Sequence, residues 1–520
     1  MANTSTVNRI VKNTGYLYVK MAITIFVSLY STRLILGALG ASDFGIFNIV
    51  GGAIAMLGFL NSTMANVTQR FMSYAEGEGH FEKKVKIFNL SLSLHLFIAI
   101  FTVVFLLVLM SPLFHGVFNI QPDRIYAAKI VYLCLIASTF LTIVNVPYDA
   151  VMNAHENMFY YSIIGVFESI LKLSIAFICV KTTMDKLIVY GVLMTCVPLI
   201  SLTIMKFYCH KKYEECIIAP HKYWDWDLVK QIFAFSGWNF LTAISSLFSA
   251  QGIGIVLNHF FGTVLNAAQG IAQQVNGSLS NFSGNMMKAL NPVIVKNAGA
   301  KNIKTMNNAI LAGCKFSALL TMLFAIPISI EASFVLKVWL KNVPDWASLF
   351  CILQLVQTLI LQMANSASTA VYAQGDIKFY AIFKSVMNAL PVLLVWLAFY
   401  FGGSPIWLYV PMIAVWAVGG DIVIIIYAKK KCGLSVAAYF NNVVKPLIGT
   451  ALFMLVFGLS SGFIFQEGIT KFLITCVLTT IGMFFSSMLF ALRSEEKKQI
   501  HEMMSNFNVS NIIRHKVHDM

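Results

Sequence analysis

The chain alternates long apolar stretches with short polar joints. A helix needs roughly 20 apolar residues to cross hydrocarbon. About fourteen stretches meet that need, near 15–36, 44–66, 87–112, 130–146, 158–180, 187–205, 231–257, 265–287, 308–331, 346–370, 379–400, 406–428, 446–465 and 472–491. The eighth is polar enough to be the weakest of the set.

The pattern also says nearly the same thing twice. Residues 150–164, AVMNAHENMFYYSII, stand against 370–384, AVYAQGDIKFYAIFK, keeping Ala150/Ala370, Val151/Val371, Phe159/Phe379 and Tyr160/Tyr380, with Glu156 facing Asp376. At the same offset of 220, SPLF (111–114) faces EASF (331–334), and His95 faces Lys315. At an offset of 222, LGASDFGIFNIV (39–50) faces FGTVLNAAQGIA (261–272), keeping Gly40/Gly262 and Ile49/Ile271. Matches in order and at nearly constant spacing argue for a six-helix unit duplicated once. Six is even, so both copies enter the membrane from the same side and are related by an axis along its normal. The expected fold is an all-α polytopic membrane protein of about fourteen helices. Two parallel six-helix bundles and two added C-terminal helices surround a central cavity. The expected units are 1–225 with its linker, 226–440, 441–491 and a cytoplasmic tail 492–520.

Composition agrees. Of the 520 residues, 58% are hydrophobic and 11% charged, against about 25% charged in a soluble protein; mean hydropathy is +0.76. The net charge of +15 marks topology, and no nucleic-acid partner is expected. With the amino terminus inside, the inner joints hold 25 Lys and Arg and the outer joints 7. This is the positive-inside asymmetry, so both termini are expected in the cytoplasm. The start, MANTSTVNRI, has no cleavable signal, and the first helix is expected to stay. Nine cysteines are scattered without a CxxC pair. Cys209-His210 with Cys216 is their one cluster, read as ordinary loop residues, and no metal is expected. The Asn-x-Ser/Thr sites at Asn61, Asn66, Asn276 and Asn281 fall in or beside helices and imply no glycosylation. In Trp224-Asp225-Trp226-Asp227, Asp227 is read as the cap of the following helix and the tryptophans as interface anchors. There is no GxxxxGK[ST] phosphate loop.

The stretches NTGYLYVKMAITIFVSLYSTRLILGALGASDFGIFNIVGG (13–52), FLNSTMANVTQRFMSYAEGEG (59–79) and SGWNFL (236–241) resemble bacterial polysaccharide exporters. These are the lipid-linked oligosaccharide flippases of the multidrug/oligosaccharidyl-lipid/polysaccharide (MOP) superfamily. Arg33, Leu39-Gly40 and Asp43-Phe44-Gly45 match the family pattern, while Lys20 stands where close relatives have Arg. The resemblance implies movement of an undecaprenyl-pyrophosphate-linked glycan between leaflets of the bacterial plasma (inner) membrane by alternating access. It implies membrane lipids and other polysaccharide-assembly proteins as partners, H+ or Na+ as the driving ion, and no cofactor.

Such a load needs a polar, cationic path. Five Lys and Arg lie inside spans: Lys20, Arg33, Lys172, Lys315 and Lys384. An embedded cation costs about 2.5–3.5 kcal/mol near a helix centre and less near its ends. At 1.5 Å per residue, Lys20 sits ~8 Å inside its helix, Lys315 and Lys384 ~10 Å, and Lys172 ~21 Å. The first three are within snorkelling reach. Glu168 precedes Lys172 by one turn and either neutralises it or couples an ion; Asp421 is the other embedded acid. His95 and Lys315 form an expected donor pair, against the plainer reading of His95 as a core histidine. The expected polar wall is Asn266, Gln269, Gln273 and Asn276 in the second half and Asn61, Asn66 and Gln69 in the first, with helix–helix bonding as the alternative. The rivals are a cation-coupled drug exporter and a peptidoglycan-precursor flippase. A membrane glycosyltransferase or polymerase fits worse, because the longest outer joint spans only about 17 residues.

Overall fold

The computed structural model describes residues 2–497 apart from 56–57, 119, 341–342, 464 and 494–495, so most of the expected tail lies outside it. Among the described residues all regular structure is helical. In chain order the helices are α1 (Ala2–Ala55), α2 (Gly58–Glu78), α3 (Phe81–Pro112), α4 (Ile125–Ala154), α5 (Met158–Lys181), α6 (Lys186–Lys212), α7 (Trp226–Gly299), α8 (Ile303–Ile330), α9 (Ala332–Leu340), α10 (Ala347–Ala373) and α11 (Lys378–Tyr400). Three more complete the set: α12 (Pro405–Cys432), α13 (Val436–Phe463) and α14 (Ile469–Ala491). Twelve segments are long and apolar enough to cross a membrane, and the chain is a multi-pass membrane protein. The expected second and eighth spans are not among the twelve. They form the end of α1 with α2, and the second half of α7, where Asn, Gln, Ser and Gly replace Leu, Ile and Phe.

Two repeated bundles are visible in the element starts. α3 and α8 begin 222 residues apart, as do α4 and α10, while α5 and α11 begin 220 apart. The joints are set by local capping. Asp185 accepts from the amides of Leu187 and Ile188 at the start of α6. Asp225 does the same for α7, through Asp227 and Leu228. The helix begins two residues earlier than its apolar run suggests, so Asp225 is the cap and Asp227 lies in the first turn.

α1 and α7 are each two helices joined at one residue, Gly40 (φ 77, ψ 170) and Gly262 (φ 76, ψ −167). This corner of backbone space is essentially closed to any residue with a Cβ. The repeat therefore keeps glycine at both places because the chain bends identically there.

The bundles meet where α2 crosses the end of α7. A Cβ on Gly77 would fall 1.8 Å from the Lys296 carbonyl oxygen, and one on Gly299 would fall 2.1 Å from that of Tyr74. Gly77 and Gly299 are 222 residues apart, as are Tyr74 and Lys296, so the contact is two-fold in sequence as well as in space. Small residues let helix backbones approach this closely. We call this the basic end of the bundle, since Lys83, Lys84, Lys296 and Lys301 stand around it. At the opposite end Arg124 donates to Asp43 and to Asp185, the latter at 2.7 Å, tying α1 beyond its bend to α4 and α6.

Gly77→Ala and Gly299→Ala should each destabilise the protein by about 1–3 kcal/mol, the usual cost of overpacking. Gly277→Ala, whose Cβ would meet nothing within 4 Å, should hold or raise the thermal unfolding midpoint, since alanine favours helix over glycine. Equal midpoints for all three variants would show that the crossing is not close-packed.

Candidate functional site

An uncovered face runs along α7 beyond its bend. Ala267, Gly270, Gln273, Gln274, Gly277, Ser278, Asn281, Gly284 and Lys288 are all exposed, recurring at three and four residues on one side of the helix. Cβ atoms built at Gly270, Gly277 and Gly284 have open space around them. A face with no large apolar side chain cannot stand against lipid, because each unpaired amide is costly there. It is a wall for water and polar groups. Asn48, Gly52, Gly58, Ser62 and Asn66 form the matching exposed stripe in the first half.

The expected amides divide between two jobs. Gln273 and Asn66 are exposed on these stripes, whereas Gln269 is only 3% exposed. Asn276 accepts a hydrogen bond from Thr358 at 2.6 Å. Gln362 donates to Ser283 at 3.0 Å and Thr369 to Asn291 at 3.1 Å, so polar side chains fasten α7 to α10 along their length. At Asn276 the helix–helix alternative is thus the observed one. Asn266 and Gln269 approach Gly254 on the first limb of α7. Asn61 and Gln69 are half-buried on α2, and Asn61 leaves its carbonyl oxygen without a partner.

The embedded charges gather inside the first half. Two adjoining cavities of about 590 and 320 Å³ lie between α1, α4, α5 and α6, and Lys20, Gly165, Glu168 and Lys172 line both. Asn145, Asp149, Tyr161 and Ser201 line the smaller one. Lys20 holds its ammonium 4.0 Å from the centre of the Tyr161 ring, with Lys288 of α7 5.9 Å from the same ring. Glu168 accepts from Ser201 at 2.5 Å. Three lysines therefore surround two carboxylates. Asp149 and Lys288 escaped sequence reasoning because both fall at helix ends, where charge reads as loop. Only the packing of α7 against α1 brings Lys288 to Lys20.

The second half carries a related arrangement. Lys384 approaches Gly420, beside Asp421. By the 220-residue register Asn388 corresponds to Glu168 and Asp421 to Ser201, so the carboxylate has changed helices. Asp421 is 8% exposed, and one of its oxygens has no hydrogen-bond partner. Asn388 donates to Ser246 at 2.8 Å.

Three expected residues lie elsewhere. Lys315 is 1% exposed and donates to the Ala491 carbonyl at 2.8 Å and to Glu496, so it pins the end of α14 to α8. His95 is equally buried, its Nδ1 2.8 Å from the Ser91 carbonyl oxygen of its own helix. The helix starts put His95 in register with Ser317, so the expected His95–Lys315 donor pair does not form. Arg33 is exposed; Thr32 and Ile35 beside it line the larger cavity, and Arg33 does not.

Glu76, His155 and Glu215 bring potential ligand atoms within 4.8 Å of one another at the basic end. Lys84 already bonds Glu76 at 2.8 Å, with Lys296 at 3.5 Å, so the group is neutralised as an ion network. Burial raises the Glu156 carboxyl, only partly offset by Arg9 and Lys296. At Glu215 burial pulls the same way, but the hydrogen bond with His155 and neighbouring positive charge bring it below its ordinary range.

No protein-family model and no curated protein matches the sequence. Solved structures do match. A crystal structure of a MATE protein in the bent conformation superposes with a TM-score of 0.71 at 15% identity, over 82% of this chain and 96% of that one. The bent form of the Vibrio cholerae MATE transporter VcmN gives 0.69 at 16%, over 83% and 98%. A MOP-superfamily transporter from Pyrococcus furiosus, described by the reverse polarity of its binding pocket, gives 0.65 at 14%, over 83% and 96%. The two bent bundles and their polar interior are therefore built on the fold of the MATE transporters.

Proposed function

We propose that this chain is a membrane transporter that carries an amphiphile with an anionic, polar head, and that its load is an undecaprenyl-pyrophosphate-linked oligosaccharide moved to the outer leaflet of a bacterial plasma membrane. The observation that carries the reading is the lysine excess at the cavity: Lys20, Lys172 and Lys288 around Glu168 and Asp149, beside a wall of amides, serines and glycines. A pyrophosphate keeps its charge through the crossing, and ammonium groups in a water-containing path replace its hydration. The amide stripe suits sugar hydroxyls, and the lipid tail stays in the bilayer. The Pyrococcus furiosus structure is described as having a pocket of reversed polarity that suggests a different function; in this fold pocket charge is a reasonable guide to the load. Arg33, towards the opposite end of the same helix and exposed, is proposed as a late contact for the head before release.

In proteoliposomes, Lys20→Ala and Lys288→Ala should each slow translocation of a labelled polyprenyl-pyrophosphate glycan about tenfold, the value of one charge-assisted hydrogen bond. The Lys→Arg versions should retain most of the rate. Unchanged rates in both Ala variants would remove the lysines from the path.

A drug-exporting transporter driven by a cation is the second reading. Asp421 favours it, since a buried carboxylate oxygen without a partner invites a proton, Na+ or an organic cation. On that reading the protein expels a lipophilic cation such as ethidium under an imposed proton or sodium gradient, and Asp421→Asn stops it. Ethidium export without glycan movement would replace the first proposal.

The orientation is part of the proposal: the basic end faces the cytoplasm. Reporter fusions after residues 225 and 491 should both report the inner side, and an external signal from either would reverse it.

A further inference from the structure

The α2–α7 crossing is flanked by two clefts that the repeat makes equivalent, and the chain treats them differently. On one side the 154–158 corner packs against the start of α1 and is closed. Arg9 pairs with Glu156 at 2.8 Å, Asn13 donates to its carbonyl at 3.0 Å, and Leu17, Met158 and Ala289 form an apolar plug. On the other side the 374–378 corner stands off from α2 and the start of α7, leaving a cavity of about 530 Å³.

The residues facing that cavity break the repeat in one direction. By the 222-residue register Arg70 occupies the position of Pro292, and by the 220-residue register Lys378 occupies that of Met158. An inert residue in one copy has become a cation in the other, twice, in one cleft. The Arg70 guanidinium is stacked among Phe71, Tyr74 and Phe235, its centre 4.6 to 5.0 Å from their rings. It donates once, to the Ala373 carbonyl at 2.6 Å, and its buried Nε has no partner. Lys378 lies exposed at the mouth, 5.9 Å from the Trp238 ring.

The carboxylates at the rim are already used. Glu78 is bonded by Lys83 and Asp376 by Lys431, each at 2.6 Å. Among the described residues no carboxylate pairs with Arg70 or Lys378. A fixed guanidinium with free donors, a second cation and an aromatic floor together match a phosphate carried on a greasy or planar group. Basic pockets between membrane helices hold anionic headgroups by this chemistry.

We propose that this cleft is a binding site for a phosphate-bearing anion, distinct from the cavity of the first half, with Arg70 and Lys378 as its phosphate ligands. Because it joins α2 of one bundle to α7 and the α10–α11 corner of the other, an occupant holds the basic end closed. The proposal does not rest on the transport reading.

The test uses the purified full-length chain in detergent, titrated with phosphatidylglycerol, phosphatidylcholine or inorganic pyrophosphate while the thermal unfolding midpoint is followed. Phosphatidylglycerol should raise the midpoint saturably and phosphatidylcholine should not. Arg70→Gln and Lys378→Gln should each raise the half-saturating concentration about tenfold, and Lys430→Gln, outside the cleft, should not change it. Saturation by pyrophosphate in place of the lipid identifies a soluble phosphate; its failure to act at millimolar concentration identifies a lipid headgroup. Should Arg70→Gln not fold, Lys378→Glu, at an exposed position, decides alone. Wild-type affinity in the Lys378 variants, or equal binding of phosphatidylcholine, overturns the proposal.

Discussion

In hydrocarbon a polar group must find its partner inside the protein or face enclosed water. Most of this structure follows from that constraint. It sends Lys315 to the Ala491 carbonyl and Glu496, gathers Arg124 between Asp43 and Asp185, and binds α7 to α10 through Thr358, Gln362 and Thr369. Where no partner is supplied, as along Gly270, Gln273, Gly277 and Asn281, the helix must border water. The polar residues that remain uncovered therefore outline the wetted face of the interior.

The two bundles share a buried apolar core, in which Val67, Phe71 and Met72 of the first meet Phe235, Leu290 and Ile294 of the second, and at one point their backbones touch. Glycine at 77 and 299 provides backbone-to-backbone approach over a small area. Ion pairs of Lys296 with Glu76 and Glu156 add a connection that water can replace. Both features lie at the basic end. The bends at Gly40 and Gly262 let the long limbs of each body turn around the interior.

Duplication supplied the frame and divergence supplied the chemistry. Glu168 with Ser201 in the first half answers to Asn388 and Asp421 in the second, and Pro292 and Met158 answer to Arg70 and Lys378. In each case the backbone position is retained while charge moves. An internal repeat thus gives its own control: the copy without the charge shows what the fold needs, and the copy with it shows what was added.

By itself the sequence determined the membrane class and the six-helix repeat with its paired glycines at 40 and 262, because apolar length, charge count and residue identity are local properties. It also supplied Glu168 and Lys172 as a pair, since one-turn spacing on a helix is legible; Lys20 joins them only through the packing of α1 on α5. Tertiary structure decided the rest. Lys288 reads as a loop residue until α7 lies against α1; Lys315 reads as a cavity cation until α14 reaches it; Asn276 reads as a wall residue until Thr358 arrives from α10. The second and eighth segments read as ordinary apolar helices until their polar faces are seen to be open. A partner distant in sequence leaves no periodic trace at either position, so only the packed bundle tells a satisfied polar side chain from one kept for a ligand.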